Sequence, residues 1–230
     1  MRVRVATTAL GITAVLLALP ACSTDTTATK HQTSSSSGTG KPSGAVQNPV
    51  ALSSDALGAR LLDPRDLGSG YLPKPERPAQ HDGVTVIGCP ALNELGSDAA
   101  TGGTLAFSHK AKADFTYGGS SSEISEELYS DSAKKLSDGI TRIFNAMIGC
   151  PTYQVVAGGT PVGVTSQKLS APQLGDERWS QLLTFTSGGR STVVKQTAIR
   201  DGSLLLVVSG SLALVDRHLD KALAKATATG

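Results

Sequence analysis

Between residues 131 and 150 the apolar positions Ala133, Leu136, Ile140, Ile143, Phe144, Met147 and Ile148 recur every three or four residues. Such spacing gathers them on one side of a helix and turns the other side to water. A helix with one oily side needs a flat apolar surface to cover, and three downstream runs supply it: 177–185, 192–199 and 204–209. The first carries Trp179, Leu183 and Phe185 on one face, as a half-buried strand does. The third is apolar on both faces, which predicts a central strand covered from both sides. Ser187-Gly188-Gly189 and Asp201-Gly202 link the three runs as hairpin turns. Leu212, Leu214, Val215, Leu219, Ala222 and Leu223 then form a closing helix, with Lys221 and Lys225 near the end where the helix dipole favours cations.

The earlier part of the chain is more broken. Ser53, Ser54 and Asp55 can cap a short helix carrying Leu57, Leu61 and Leu62, which Pro64 ends. Residues 63–71 read as a tight turn that drops the Tyr71 ring onto the core, and Pro73, Pro75 and Pro78 keep the next stretch extended and irregular. Residues 84–87 make a short strand leading into Cys89, and Pro90 opens a short helix. After Gly102-Gly103, residues 104–117 alternate loosely, as one long strand or a hairpin with a break or bulge at 109–112. Ile124 and Leu128 alternate with Glu123, Ser125 and Glu127, giving an amphipathic strand whose acids face outward. Two more short strands, 153–157 and 162–169, flank a turn at Gly158-Gly159-Thr160. The sum is an α+β fold, an antiparallel sheet packed with helices.

Residues 1–21 read as an export signal of the lipoprotein kind: Arg2 and Arg4 begin it, residues 5–18 are apolar, and Leu19-Pro20-Ala21-Cys22 resembles a bacterial lipobox in which Cys22 takes the lipid. Residues 22–48 are the lipidated cysteine plus a Ser, Thr and Gly-rich tether too polar to order itself. Residues 49–230 are then a single domain, since 230 residues at 39% hydrophobic can bury one sizeable core. With Cys22 lipidated, Cys89 and Cys150 remain as an even pair in an oxidising compartment, where a structural disulfide is expected. A metal site or catalytic thiol at these positions lacks ligands at workable spacing. Arg2 and Arg4 account for the whole charge excess, and without residues 1–21 the basic and acidic groups balance at 19 each. No nucleic-acid partner is expected of so neutral a chain. The expected partners are the membrane, through the lipid anchor, and an unknown small ligand or envelope protein.

Candidate chemistry is sparse. No Gly-x-Ser-x-Gly occurs, so a nucleophile elbow is not expected. His31, His81, His109 and His218 lie in four separate contexts, and His218, between Asp216 and Asp220, reads as part of a solvated helical edge. Glu123, Glu126 and Glu127 read as a solvated sheet surface rather than a catalytic or calcium site. No catalytic residue, metal or cofactor is therefore expected, and the chain does not read as an enzyme. Trp179 and Arg178, with Tyr71 and Tyr117, are the candidates for lining a ligand cleft, through aromatic stacking beside a cation.

The short capped helix, Asp66-Leu67-Gly68-Ser69-Gly70-Tyr71, Cys89, the helix ending in Cys150, the Trp179 strand and the final meander give an order that resembles the PknH-type extracellular sensor domains of actinobacteria. These occur outside receptor serine/threonine kinases and as free lipoproteins, with a fold similar to the PsbP-like α/β type. The resemblance covers residues 49–228 and implies an extracytoplasmic domain with a ligand or partner cleft. The function expected is a membrane-anchored lipoprotein with a ligand- or partner-binding, sensor-like domain. The alternative is a structural or assembly lipoprotein of an envelope complex that has no small-molecule ligand.

Overall fold

The last strand of the meander is buried on both faces. Leu204, Leu206 and Val208 pack into one apolar cluster, while Leu205 and Val207 enter another on the opposite side. The computed structural model describes residues 51–75, 84–96, 107–118, 122–157 and 159–228. The export signal, Cys22, the tether, His31, His81, Pro78, Gly102-Gly103 and the start of the 104–117 run lie outside the described residues.

In chain order the elements are α1 (Ser54–Gly58), α2 (Pro64–Leu67), β1 (Tyr71–Lys74), β2 (Thr85–Ile87), α3 (Pro90–Leu95), β3 (His109–Tyr117), β4 (Glu123–Ser130), α4 (Ala133–Gly149), β5 (Thr152–Ala157), β6 (Thr160–Leu169), β7 (Glu177–Ser187), β8 (Arg190–Asp201), β9 (Leu204–Gly210) and α5 (Leu212–Thr227). The strands form one sheet in the order β1-β3-β4-β9-β8-β7-β6-β5-β2, every pair antiparallel. The short strands β1 and β2 stand at its two edges.

Helices lie on both faces. On the front, α1, α2 and α5 cover the β1 side of the sheet, with Leu57, Leu62, Leu67, Leu214, Val215, Leu219 and Ala222 in one cluster with Phe115, Ile124, Leu128 and Ile199. On the back, α4 lies across the late strands as its pattern predicts, burying Leu136, Ile140, Phe144, Ala146 and Met147. Ser132 caps it, its side chain accepting from the Lys135 N–H. Cys89, immediately before α3, and Cys150, immediately after α4, are joined by a disulfide with Cα atoms 5.6 Å apart. The expected bridge is therefore present, and it fixes α3 beside α4.

Four local expectations change. Pro64 does not end the first helix, because α1 stops at Gly58 and Pro64 opens α2. Asp63 caps α2 by accepting from the Arg65 and Asp66 N–H groups at 2.7 and 3.1 Å, and Asp66 accepts from the Asp63 N–H at 3.0 Å. This reciprocal box turns the expected turn at 63–71 into a helix followed by a strand. Residues 71–74, expected to be irregular, pair with β3, and Pro73 is tolerated because β1 is an edge with no further neighbour to supply. No bulge interrupts β3 either: His109 to Thr116 pairs residue for residue with β4.

Candidate functional site

Strand alternation and the width of the sheet separate the four residues expected to share a cleft. Trp179 pairs in register with Ala198, on the back, and its ring packs against Phe144 of α4 with centroids 6.2 Å apart. Arg178 pairs with Ile199, on the front, and donates to the Gln173 side chain. Tyr71 and Tyr117 also belong to the front cluster, with ring centroids 4.7 Å apart, but they sit on β1 and β3, and β4, β9 and β8 stand between them and Arg178. The structure thus gives one tyrosine pair and two residues on opposite faces of β7, with no shared wall.

His218 is not on a solvated edge. It is 5% exposed, faces the front cluster from α5, and its Nε2 lies 2.6 Å from the Tyr71 hydroxyl. Burial lowers its pKa, and Arg217 and Lys221 add to the shift, so the ring is held toward its neutral form. Its helical position is the signal that neighbouring acids obscured: Leu214, Val215, His218, Leu219 and Ala222 are one stripe.

The main concentration of unusual electrostatics is on β4, where Glu126 and Glu127 point to opposite faces and both are largely buried. This corrects the reading of these acids as a solvated surface. Glu126 has the parity of Ile124 and Leu128, so a strand with those two in the core must put Glu126 there too. It is 1% exposed. Its Oε2 accepts from the Leu62 N–H at 2.6 Å, and its Oε1 has no hydrogen-bond partner among the described residues. Burial pushes its carboxyl up to about 7, against the pull of the Leu62 N–H and Lys225, while Asp66 adds to the rise. Around it, Lys225 bonds Asp66 and lies 3.4 Å from Asp63, and Lys221 donates to the Asp66 carbonyl at 2.5 Å.

Glu127, on the back, sits in a strip of paired charges. The Tyr129 hydroxyl donates to its carboxylate, Lys112 Nζ lies 3.5 Å from it and 3.6 Å from Asp114, and Lys74 bridges to Glu123 at 2.7 Å. Burial raises the Glu127 pKa, opposed by the Tyr129 hydrogen bond and Lys112. For Lys112, burial works to lower the pKa, but Glu127 and Asp114 outweigh it and the ammonium is favoured. The strip is partly exposed at Lys112 and Glu123 and presents both signs of charge at the surface. Among the described residues no group of three or more His, Cys, Asp and Glu side chains is placed to hold a metal, and no helix is long and apolar enough to cross a membrane.

The fold and site define an antiparallel α+β domain with one disulfide and two buried acids back to back on a central strand. No family model matches the chain, and no curated protein matches it by sequence. Among solved structures, the fold is similar to the extracellular domain of PknH from Mycobacterium tuberculosis, with a TM-score of 0.57 at 13% identity over 77% of this chain and 97% of that one. A weaker likeness, TM-score 0.38 at 11% identity over 70% and 91% of the two chains, is to the Rv0999 ortholog of Mycobacterium smegmatis.

Proposed function

We propose that this chain is an extracytoplasmic, sensor-like domain, held at the membrane by a lipid on Cys22, that binds a small polar ligand or an envelope protein and performs no covalent chemistry. The observation that carries the reading is the fold likeness to the PknH extracellular domain, which spans 97% of that domain. The Cys89–Cys150 bridge supports it, because structural disulfides persist in oxidising compartments. The lipobox-like Leu19-Pro20-Ala21-Cys22 supplies the anchor, and the charged strip of Lys74, Lys112, Asp114, Glu123 and Glu127 is the recognition surface in this reading.

Cys22→Ala tests the anchor. The variant is expected to leave the membrane fraction and appear with the soluble extracytoplasmic proteins, because it lacks the thiol that carries the lipid in this reading. Unchanged membrane fractionation of the variant would refute the lipoprotein assignment.

A further inference from the structure

Glu126 is one of the described side chains with a buried polar atom left unpaired, and it is the most deeply buried acid among them. In register with Ala113 of β3 and Val208 of β9, it lies on the front of the sheet under the segment 51–67, which contains α1 and α2. One oxygen is bonded to that segment through the Leu62 N–H, and the other faces no donor among the described residues. A neutral carboxyl suits this arrangement better, with Oε2 serving as its carbonyl acceptor, although its Oε1 hydroxyl is left without a partner among the described residues. A carboxylate would leave a buried charge with a bare oxygen.

The charged groups around it do not resolve the conflict. From α2, Asp66 adds like charge, with Asp63 beside it. From α5, Lys225 is bonded to Asp66, and Lys221 is held by the same residue. Arg60, between α1 and α2, donates to the Ala226 carbonyl at 2.9 Å. His218, two helical turns before Lys225, is bonded to Tyr71. Lys225, the cation that acts on Glu126, is already engaged by Asp66 and Asp63 and ties α5 to α2.

We propose that Glu126 is a proton-operated latch for segment 51–67. In its neutral form it lets the segment lie on the sheet, and its ionisation favours states in which the segment has lifted and water reaches the carboxylate. The segment is suited to separate motion. Its helices are five and four residues long, too short to persist alone, and its links to the sheet are the burial of Leu57, Leu62 and Leu67 and single hydrogen bonds such as Leu52 N–H to Ser130 Oγ at 2.9 Å.

The direction follows from linkage. Because the closed form holds the proton more tightly than an ordinary glutamate, closure is favoured fully below the ordinary value of 4.5 and weakens as pH rises through about 7. Hydrogen exchange of the full chain, read as amide protection corrected for intrinsic pH dependence, is the test. Protection of residues 52–67 is expected to fall by on the order of 100-fold between pH 5 and pH 8, while amides of β8 and β9 hold theirs. Glu126→Gln is expected to keep its protection at pH 8. A wild type whose 52–67 protection ignores pH, or a Gln variant that loses protection as the wild type does, would overturn the latch. Carbon NMR titration of the Glu126 carboxyl in the wild type does not depend on the variant folding: a midpoint near 7 supports the proposal and one near 4.5 overturns it.

Discussion

Reducing the Cys89–Cys150 bridge, or replacing both cysteines with serine, is expected to lower the stability of the domain by about 4 kcal/mol on the chain-entropy account. The two residues are 61 apart in sequence, and the intervening chain, freed of its closure, gains most of its conformational freedom in the unfolded state. For a domain of this size the loss corresponds to about 8–16 °C in Tm. The damage should be uneven. α3 and β2 are short, and the back cluster holds them through Val86, Cys89 and Leu92, while β2 has a single strand neighbour in β5. Differential scanning calorimetry with and without reductant reads the total. Hydrogen exchange should show α3 and β2 opening first, with β8 and β9 protected until the global transition. Equal thermal midpoints with and without reductant would mean that the bridge is not a structural tie.

Gly210→Ala is expected to destabilise the domain by about 3–5 kcal/mol, combining overpacking with backbone strain. Gly210 has a φ of 151°, and a Cβ there would stand 2.2 Å from the Glu123 carbonyl oxygen and 2.9 Å from the Ile124 Cα. These are backbone atoms of β4 and cannot rotate out of the way. Relief requires β4 and β9 to part where Ser211 N–H donates to that same Glu123 carbonyl at 3.1 Å, the point at which the chain leaves β9 for α5. Gly58→Ala is the matched control: it lies in α1 with nothing within 4 Å of the added methyl, so alanine should be neutral or slightly stabilising there. Urea unfolding of the pair separates the effects. A Gly210→Ala midpoint equal to that of the control would show that the close approach of the two strands is not rigid.

What the sequence disclosed and what it withheld divide along a physical line. α4, α5, the meander and the two-sided burial of β9 were legible because each is a local period in the apolar pattern, and the disulfide was legible because three cysteines leave one even pair once Cys22 is set apart. The nine-strand order was not, since β1 pairs β3 and β4 pairs β9 across long stretches of chain that no local period encodes. The two buried polar residues are a different case. Glu126 shares parity with Ile124 and Leu128, and His218 shares the stripe of Leu214, Val215 and Leu219, so both positions announced burial. Residue type argued the other way: a charged residue seldom enters a core without a partner, and here Leu62 N–H and Tyr71 supply partners from distant stretches. The cleft built from Trp179 and Arg178 failed for a local reason, since adjacent residues of a strand point to opposite faces.

The claim on which the functional account rests is that this domain works outside the cytoplasm on a lipid tether. The most direct measurement is native mass spectrometry of the full chain expressed in an actinobacterial host and extracted from membranes in mild detergent. The account predicts a polypeptide that begins at Cys22, carries a covalent lipid mass on that residue and keeps Cys89 and Cys150 oxidised. A polypeptide that retains residues 1–21, or one with an unmodified Cys22, would contradict it.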